Sequence, residues 1–452
     1  MPKESNFRFF RTAFCGLGLL RGLRAFAVRW AILFWMVLLA AGCGSKPKDL
    51  THTLVISCWG DTAEYTILSS LAKKFEAQNT GWSIAIQRTP YNEYITKLLT
   101  QSAGGVLPDV LFMGVDEALQ FYPRGLLEPL DAYMEADKDF RLSDYFPESF
   151  EPFRFKGKLY VLPRDFGTIS LVYYNKDLFE KAGLPFPKDS WNWDEFLTDA
   201  KALTKRDSSG RTTCWGFVDD WINPDPWVYS LGAYWADNAR HPTRWKFDDP
   251  RVAQGLQYRA DLTLKYHVAP NEADRTAMGA MGSADYFLNG QAAMFFSGIW
   301  KTPYLRQIKN FKWDVAMFPK GPAGKRGFWL GAACYGLSSS SKNKEMGWKL
   351  IKFMTGEESE STFAATGFAV PALRKVAESK IFLDDRPPEN KKMILKSIPY
   401  GVWYPFAANW MEMKDGVIRP ELDRVWTGSE TAAAACGKLQ KALKENPLKG
   451  ID

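Results

Sequence analysis

One stretch of the chain, from Lys158 to Leu184, constrains the possible folds more than any other. It begins with a short apolar segment, Leu159–Leu162, that ends at a proline, and Gly167 then allows a backbone bend that a side chain would resist. The β-branched and aromatic run Ile169–Tyr174 predicts a buried strand, and Asn175 is placed to cap a short helix after it. A chain that leaves one sheet, bends at a glycine and begins another sheet is typical of a crossover between two domains. The alternative is an ordinary strand–turn–strand unit inside one domain.

The length of the chain and the order of its elements also indicate two lobes. At 452 residues the chain exceeds the usual size of a domain with one core. The segment 53–113 alternates apolar strands, predicted at 53–58, 84–86 and 107–113, with amphipathic helices, predicted at 64–78 and 92–102. This order predicts an α/β fold with a parallel, doubly wound sheet, in which ligands bind beyond the carboxyl ends of the strands. Trp59, Asp61 and Asp116 follow two such ends.

The first 42 residues have the composition of an export signal. Six basic residues precede the uncharged apolar run Ala31–Ala41, which is shorter than the ~20 residues that a membrane-spanning helix needs. The overlapping segment Leu39–Cys43 resembles the lipobox of bacterial lipoproteins. That resemblance implies a signal peptide over 1–42, lipidation of Cys43, and a short membrane-anchored tether over 43–52. The alternative is a retained signal anchor in which Cys43 is an unmodified thiol.

Composition excludes several classes of function. Residues 1–42 hold six of the 58 basic and one of the 51 acidic residues, so the remainder carries a net charge of +2 rather than +7. A near-neutral chain lacks the basic surface that nucleic-acid binding needs. The three histidines are scattered, at positions 52, 241 and 267, so no metal site is expected. The cysteines after residue 43 form no CxxC motif and are expected to be mostly buried free thiols: Cys58, Cys214, Cys334 and Cys436.

Several motifs, in a consistent order, resemble one family. They are Tyr-Tyr-Asn-Lys-Asp-Leu-Phe-Glu-Lys-Ala-Gly-Leu at 173–184, Trp-Asp-Glu-Phe at 193–196, Leu-Asn-Gly-Gln-Ala-Ala-Met-Phe-Phe-Ser-Gly-Ile-Trp at 288–300 and Thr-Gly-Phe-Ala-Val-Pro at 366–371. Together they resemble the family 1 extracellular solute-binding proteins, the carbohydrate-binding components of bacterial ABC importers, to which maltose-binding protein is related. The resemblance implies a two-lobed periplasmic-binding-protein fold of type II, with a mainly parallel sheet flanked by helices in each lobe and a ligand cleft between the lobes. The first lobe would comprise 53–165 and 332–362, and the second 166–331 and 363–452.

By that resemblance, aromatic and acidic side chains near strand ends would bind the ligand. Trp300, which follows a tight Ser-Gly turn, is expected to stack on a sugar ring. Asp116 and Asp61 would accept hydrogen bonds from sugar hydroxyls, although turn caps are the alternative for both. Core packing would equally well explain part of the aromatic cluster near residue 227. The other residues expected to face the cleft are Trp59, Trp221, Trp227, Trp329, Tyr335 and Asp165.

The resemblance implies a binding protein rather than an enzyme. We expect a monomer without a cofactor, anchored at the extracytoplasmic face of the membrane (the periplasmic space in a Gram-negative cell). It would capture a sugar or oligosaccharide by lobe closure and deliver it to the transmembrane permease subunits of an ABC importer. A non-sugar solute (a polyamine, a glycerol phosphoester or iron) is one alternative, because the adjacent charged residues Arg164 and Asp165 are compatible with a charged ligand. An extracytoplasmic carbohydrate-active enzyme is another, although the sequence has neither a Gly-x-Ser-x-Gly motif nor a carboxylate spacing that supports it.

Overall fold

Most of the strands fall into two main sheets. The computed structural model describes residues 52–60, 62–277 and 282–451. The strands are β1 His52–Cys58, β2 Trp82–Arg88, β3 Val110–Gly114, β4 Arg154–Phe155, β5 Lys158–Leu159, β6 Val161–Thr168, β7 Leu171–Asn175, β8 Lys205–Arg206, β9 Thr212–Asp219, β10 Ala292–Ser297, β11 Trp313–Met317, β12 Phe328–Leu337 and β13 Gly401–Val402. The first sheet has the order β13-β12-β3-β1-β2, with β6 also paired to β12, and the second has the order β11-β7-β10-β9-β8. β4 and β5 form a separate hairpin.

Helices occupy most of the connections between these strands. They are α1 Thr62–Gln78, α2 Tyr91–Ala103, α3 Val115–Phe121, α4 Asp131–Ala136, α5 Pro147–Phe150, α6 Lys176–Lys181, α7 Trp193–Leu203, α8 Asp225–Tyr229, α9 Pro250–Leu264, α10 Glu272–Ala277, α11 Ser283–Leu288, α12 Thr302–Leu305, α13 Lys344–Met354, α14 Glu357–Thr366, α15 Arg374–Ala377, α16 Lys392–Ser397, α17 Trp410–Met413, α18 Arg419–Trp426 and α19 Ala432–Lys444. The segment Lys414–Ile418 between α17 and α18 is π-helical.

The first sheet begins with the predicted alternation of strands and helices. β1 pairs in parallel with both β2 and β3, and α1 and α2 are the connections between them. One face of α1 is buried through Leu68, Leu71 and Phe75, so the helix is held against the sheet by its apolar stripe. The strands and helices that the sequence predicts between residues 53 and 113 are confirmed, with small shifts at their ends.

The crossover between the sheets is confirmed, with one correction. β6 belongs to the first sheet and β7 to the second, so the chain passes from one to the other directly after Thr168. The expectation that the first strand ends at Pro163 and that the chain bends at Gly167 is wrong, because β6 continues through both residues. Ala333 of β12 pairs with Asp165 and the next residue with Pro163, which makes Arg164 the extra residue of a β-bulge. This bulge accommodates a proline that has no N–H for the ladder.

The second sheet is mixed, which corrects the expectation of a mainly parallel sheet in that lobe. Among its described strands, β9 and β10 alone are parallel neighbours. β7 runs antiparallel to both β10 and β11. β8 is antiparallel to β9 because a tight turn joins them, and Asp207 holds that turn by accepting hydrogen bonds from the backbone N–H groups of Ser209 and Arg211.

Buried apolar side chains form two separate clusters. The larger cluster includes residues of both main sheets. The smaller one, here called the C-terminal core, packs α17, α18 and α19 against α8 and α9, and its members include Trp235, Trp245, Trp410, Leu422 and Leu439. The C-terminal helices therefore have a core of their own. They also contribute residues to the cavity described below.

The described cysteines and helices bear on two further expectations. Cys58, Cys214, Cys334 and Cys436 are buried free thiols, as predicted. Within the described ranges, no helix is both long enough and apolar enough to cross a membrane. The expected signal peptide and Cys43 lie outside the described residues, so those expectations stay predictions.

Candidate ligand-binding cavity

Residues from both main sheets and from the C-terminal helices line one large cavity of about 1050 Å³. The first sheet contributes residues that follow β1 and β3, part of β6 and the start of β12, and the second contributes residues that follow β9 and β10. Because β9 and β10 are parallel neighbours, their carboxyl ends meet at the same edge of the sheet. The volume is close to the upper end of the ~300–1,000 Å³ that is usual for small-molecule sites.

Two tryptophans stack on each other where β9 and β10 end, and this pair is here called the aromatic wall. Trp221 follows β9 and Trp300 follows β10, and their rings are nearly parallel, with 14° between the planes and 6.0 Å between the centroids. Gly298 is needed for this placement, because a Cβ at that position would lie 2.1 Å from the Trp300 ring. Trp221 keeps 39% of its surface exposed. The wall therefore offers an aromatic face to a bound molecule.

A second aromatic group consists of Trp329, Tyr404 and Trp410. Trp329 stacks on Tyr404 with 5.1 Å between centroids and 20° between planes, and Tyr404 contacts Trp410 at 4.7 Å. The indole N–H groups of Trp329 and Trp410 are buried and have no hydrogen-bond partner among the described residues. Buried donors without a partner are uncommon in native proteins, so these two are candidate donors to a bound ligand.

Trp59 lines the cavity directly after β1. Its ring lies 4.5 Å from the ring of Phe112 and 5.0 Å from that of Tyr94, measured between centroids. The exposed ring of Tyr91 meets it edge-on at 5.6 Å. These contacts fix the orientation of the indole, so that its remaining surface is held toward the cavity.

Acidic and basic side chains meet at the start of α3. Lys414 donates to Asp116 Oδ2 at 3.0 Å, whereas Asp116 Oδ1 is buried without a partner among the described residues. Glu117 is buried beside this pair and accepts a hydrogen bond from the Tyr91 hydroxyl at 3.2 Å. Burial, and then the negative charge of Asp116, raises the pKa of Glu117 to about 7. Burial also raises the pKa of Asp225, which binds the Tyr404 hydroxyl, to about 6.

Glu117 is expected to make the stability of the protein depend on pH. Its pKa is about 7 in the folded protein against 4.5 in the absence of burial, so between these values the folded state binds a proton that the unfolded chain has lost. The free energy of unfolding should therefore fall as the pH rises through this interval, by up to about 3 kcal/mol. Glu117→Gln removes the titrating group and should remove this part of the pH dependence. Urea denaturation of both proteins at about pH 5 and pH 8 measures the difference, and identical pH dependence would contradict the assignment.

Arg164 is a buried counter-ion for two carboxylates. It donates to Glu64 Oε1 at 2.7 Å and to Asp165 Oδ2 at 2.6 Å. Its guanidinium carbon also lies 4.5 Å from the centroid of Phe112 and 4.3 Å from that of Phe363. Arg164 is the bulged residue of β6, and its side chain is buried. Asp165 therefore lines the cavity with its negative charge balanced by the adjacent guanidinium of Arg164.

The structure brings most of the predicted ligand-binding residues together. Those that line the cavity are Trp59, Asp116, Asp165, Trp221, Trp300 and Trp329. Asp61 lies outside the described residues, so its role stays a prediction. Among the side chains that the structure describes, no cluster of His, Cys, Asp and Glu is arranged to hold a metal ion.

Two residues expected at the cleft lie in the core instead. Trp227 is fully buried in α8, where its ring packs 4.6 Å from that of Phe318. Tyr335 is buried in β12, where its ring packs 5.1 Å from that of Phe112. Neither lines the cavity. The aromatic composition of these segments is compatible with both a core and a ligand site. For Trp227, the packing of α8 against α9 places the ring in the core.

Sequence reasoning missed several charged residues that line the cavity, among them Glu117, Asp225 and Lys414. Glu117 follows Asp116 at the end of β3, so the strand-end argument could have included it. Lys414 is separated from its partner Asp116 by 298 residues, and no local pattern connects the two. Asp225 is the first residue of the short helix α8 and follows an irregular, proline-containing segment, where the sequence offers no periodicity.

Comparison with known proteins agrees with this geometry. Residues 59–361 match the family described as bacterial extracellular solute-binding protein. A binding protein of Brucella abortus (strain 2308) is 26% identical over 349 residues, which cover 76% of this chain and 80% of the relative. An ABC substrate-binding protein from Listeria monocytogenes, solved in complex with cycloalternan, has a TM-score of 0.79 and 26% identity, over 87% of this chain and 98% of that chain.

The maltose-bound MalE3 of T. maritima is a further structural neighbour, with a TM-score of 0.76 and 25% identity over 87% of this chain and 100% of that chain. These neighbours confirm the expected type II periplasmic-binding-protein fold. The matched family consists of extracellular substrate-binding proteins rather than enzymes, and it identifies this chain as an exported protein. The chain belongs to the bacterial extracellular solute-binding proteins.

Proposed function

We propose that the protein binds a carbohydrate in this cavity and delivers it to the permease of an ABC importer. The observation that carries the proposal is that the nearly parallel Trp221–Trp300 wall lines the same cavity as the carboxylate of Asp116. A sugar ring has an apolar face that packs on an aromatic ring, and hydroxyls at its edge that hydrogen-bond to carboxylates. The structural neighbours bound to cycloalternan and to maltose support this class of ligand.

In this proposal the polar atoms without partners receive the sugar hydroxyls. Asp116 Oδ1 accepts one hydrogen bond, and the indole N–H groups of Trp329 and Trp410 donate to hydroxyl oxygens. A micromolar affinity corresponds to about −8 kcal/mol, which several hydrogen bonds and two or three stacked rings can supply. A cavity of about 1050 Å³ leaves room for more than one sugar ring.

The proposed mechanism is closure of two lobes on the ligand. We assign 53–165 and 332–362 to the first lobe and 166–331 and 363–452 to the second, with the cavity between them. The segments near Gly167 in β6 and Gly331 in β12 would act as hinges, because the chain passes from one main sheet to the other shortly after Gly167 and shortly before Gly331. Binding shifts the equilibrium toward closure only if the ligand has a higher affinity for the closed state.

The proposal includes attachment to the membrane outside the cytoplasm. The basic and apolar leader and the lipobox-like residues before Cys43 support a cleaved signal peptide and a lipidated, monomeric protein that docks on permease subunits. We assign no catalytic activity to the cavity. Asp116 and Asp165, two of its carboxylates, are ion-paired with Lys414 and Arg164, so neither is arranged as a free acid or base for hydrolysis.

A ligand screen on the soluble chain from residue 44 onward tests this function. We expect the melting temperature to rise with one class of mono- or oligosaccharide and to saturate with concentration. Spermidine, glycerol 3-phosphate and a ferric salt represent the other ligand classes. A shift with one of these and with no sugar would contradict the carbohydrate assignment and leave the fold intact. Consumption of the sugar over time, followed by chromatography, would contradict the absence of catalysis.

A further inference from the structure

Lys414 reaches the cavity from the C-terminal core. It is the first residue of the π-helical segment Lys414–Ile418, and Met413 and Ile418 at its two ends are buried in that core. π-helical turns of this kind occur frequently at functional sites. Lys414 Nζ lies 3.0 Å from Asp116 Oδ2, so the ion pair joins the C-terminal core to the end of β3 in the first sheet.

The surroundings of the Lys414 amine are those in which proteins bind an ammonium group. Its Nζ lies 5.5 Å from the centroid of the Tyr404 ring, and the hydroxyl of that ring donates to Asp225 at 2.6 Å. Asp116 and Glu117 supply two further carboxyls. An aromatic face combined with carboxylates is a usual environment for a bound amine. Asp116 is only 6% exposed, and its Oδ1 has no partner within the described part of the chain, so it can accept one more donor.

We propose that Lys414 is a resident cation that reserves the cavity for uncharged, hydroxyl-rich ligands and excludes ligands that carry an amine. The inference rests on the carbohydrate function proposed above for the same cavity. A ligand ammonium would compete for the place that Lys414 holds, and it would have to break a buried ion pair or approach a like charge. A hydroxyl meets neither obstacle, because Asp116 takes one of the three donors of the lysine and Asp116 Oδ1 can itself accept.

The charge balance of the cluster agrees with this role. Although burial alone would lower the pKa of Lys414, the carboxylates of Asp116 and Asp415 raise it above its ordinary value, so the amine stays protonated. Burial favours the neutral forms of Glu117 and Asp225, whose pKa values rise to about 7 and about 6. The ammonium of Lys414 offsets the charge of Asp116 and so reduces the negative charge of the cluster. Without it, Asp116 and its neighbours form an acidic site that a cation would occupy.

Lys414→Met tests the proposal, because methionine keeps the apolar stem and removes the charge. Titration calorimetry on the soluble chain from residue 44 onward measures the affinity for two amines, spermidine and a glucosamine trisaccharide. We expect the wild-type protein to bind neither measurably. The variant should bind at least one of them at least about tenfold more tightly than the wild-type protein does.

Two further variants separate charge from packing. Lys414→Arg keeps the cation and should exclude amines as the wild-type protein does. Lys414→Met combined with Asp116→Asn removes the carboxylate and should abolish the gained amine binding. The melting temperature shows that each variant is folded, and Lys414→Gln takes the place of the methionine variant if that protein does not fold.

A folded Lys414→Met protein with unchanged amine affinity would overturn the proposal, and so would a wild-type protein that binds these amines as tightly as the variant does. Maltotriose is titrated in parallel as an uncharged ligand. If the wild-type protein binds no sugar while Lys414→Met gains amine binding, the proposed carbohydrate function fails and only the exclusion of amines by Lys414 is supported. The failure of one claim can therefore be distinguished from the failure of the other.

Discussion

Replacing Trp227 with alanine is expected to lower the free energy of unfolding by about 3–5 kcal/mol. The indole is fully buried, and its ring packs against those of Trp193, Phe196, Phe217 and Phe318. These neighbours belong to a close-packed core, so they cannot move far enough to fill the space that the indole leaves. The lost burial and the remaining cavity both destabilise the folded state.

Urea denaturation followed by circular dichroism measures this loss. The matched control is Trp221→Ala, a tryptophan of the same segment that is 39% exposed and lines the cavity. We expect the control to change the free energy of unfolding by less than about 1 kcal/mol. Equal destabilisation by the two substitutions would contradict the assignment of one tryptophan to the core and the other to the site.

Asp219→Asn is expected to destabilise the protein by a similar amount, about 3–5 kcal/mol. Asp219 is fully buried at the end of β9. It accepts two hydrogen bonds from Arg259, at 2.8 Å and 2.9 Å, and one from Arg275 at 2.6 Å. Because Arg259 is equally buried, removal of the carboxylate charge leaves a guanidinium in the interior without its counter-ion.

A double-mutant cycle with Arg259→Met separates the pair from its surroundings. We expect the double variant to be more stable than the sum of the two single effects predicts, by about 1–3 kcal/mol. The control is Asp248→Asn, which breaks an exposed ion pair with Arg244 and should change stability by less than about 1 kcal/mol. Additive effects at Asp219 and Arg259 would show that the buried pair is not coupled.

The crossover could be predicted from the sequence because its signals are local. A β-branched run and a capping asparagine lie within a few residues of each other, and Asn175 does cap α6 by accepting from the Leu178 N–H at 3.1 Å. The continuation of β6 through Pro163 could not be predicted. It depends on pairing with β12, a strand far away in the chain, and on the bulge at Arg164 that this pairing creates.

The site could be predicted to a similar extent and for similar reasons. Trp300 and Asp116 follow strands, and the rule that ligands bind at strand ends applies to each of them separately. Trp221 and Trp227 lie in the same aromatic segment, and their burial in the folded protein alone distinguishes the cavity wall from the core. The role of Lys414 could not be predicted because it depends on an ion pair with Asp116, which lies 298 residues away in the sequence.

The central claim is that the Trp221–Trp300 wall binds a sugar, and titration calorimetry with the best sugar from the screen tests it most directly. Wild-type protein is compared with Trp300→Ala and with Tyr234→Ala, which removes an exposed aromatic side chain outside the cavity. We expect Trp300→Ala to bind about 10- to 100-fold more weakly, and Tyr234→Ala to bind as the wild-type protein does. Unchanged affinity in a folded Trp300→Ala protein, or no saturable binding of any sugar by the wild-type protein, would contradict the claim.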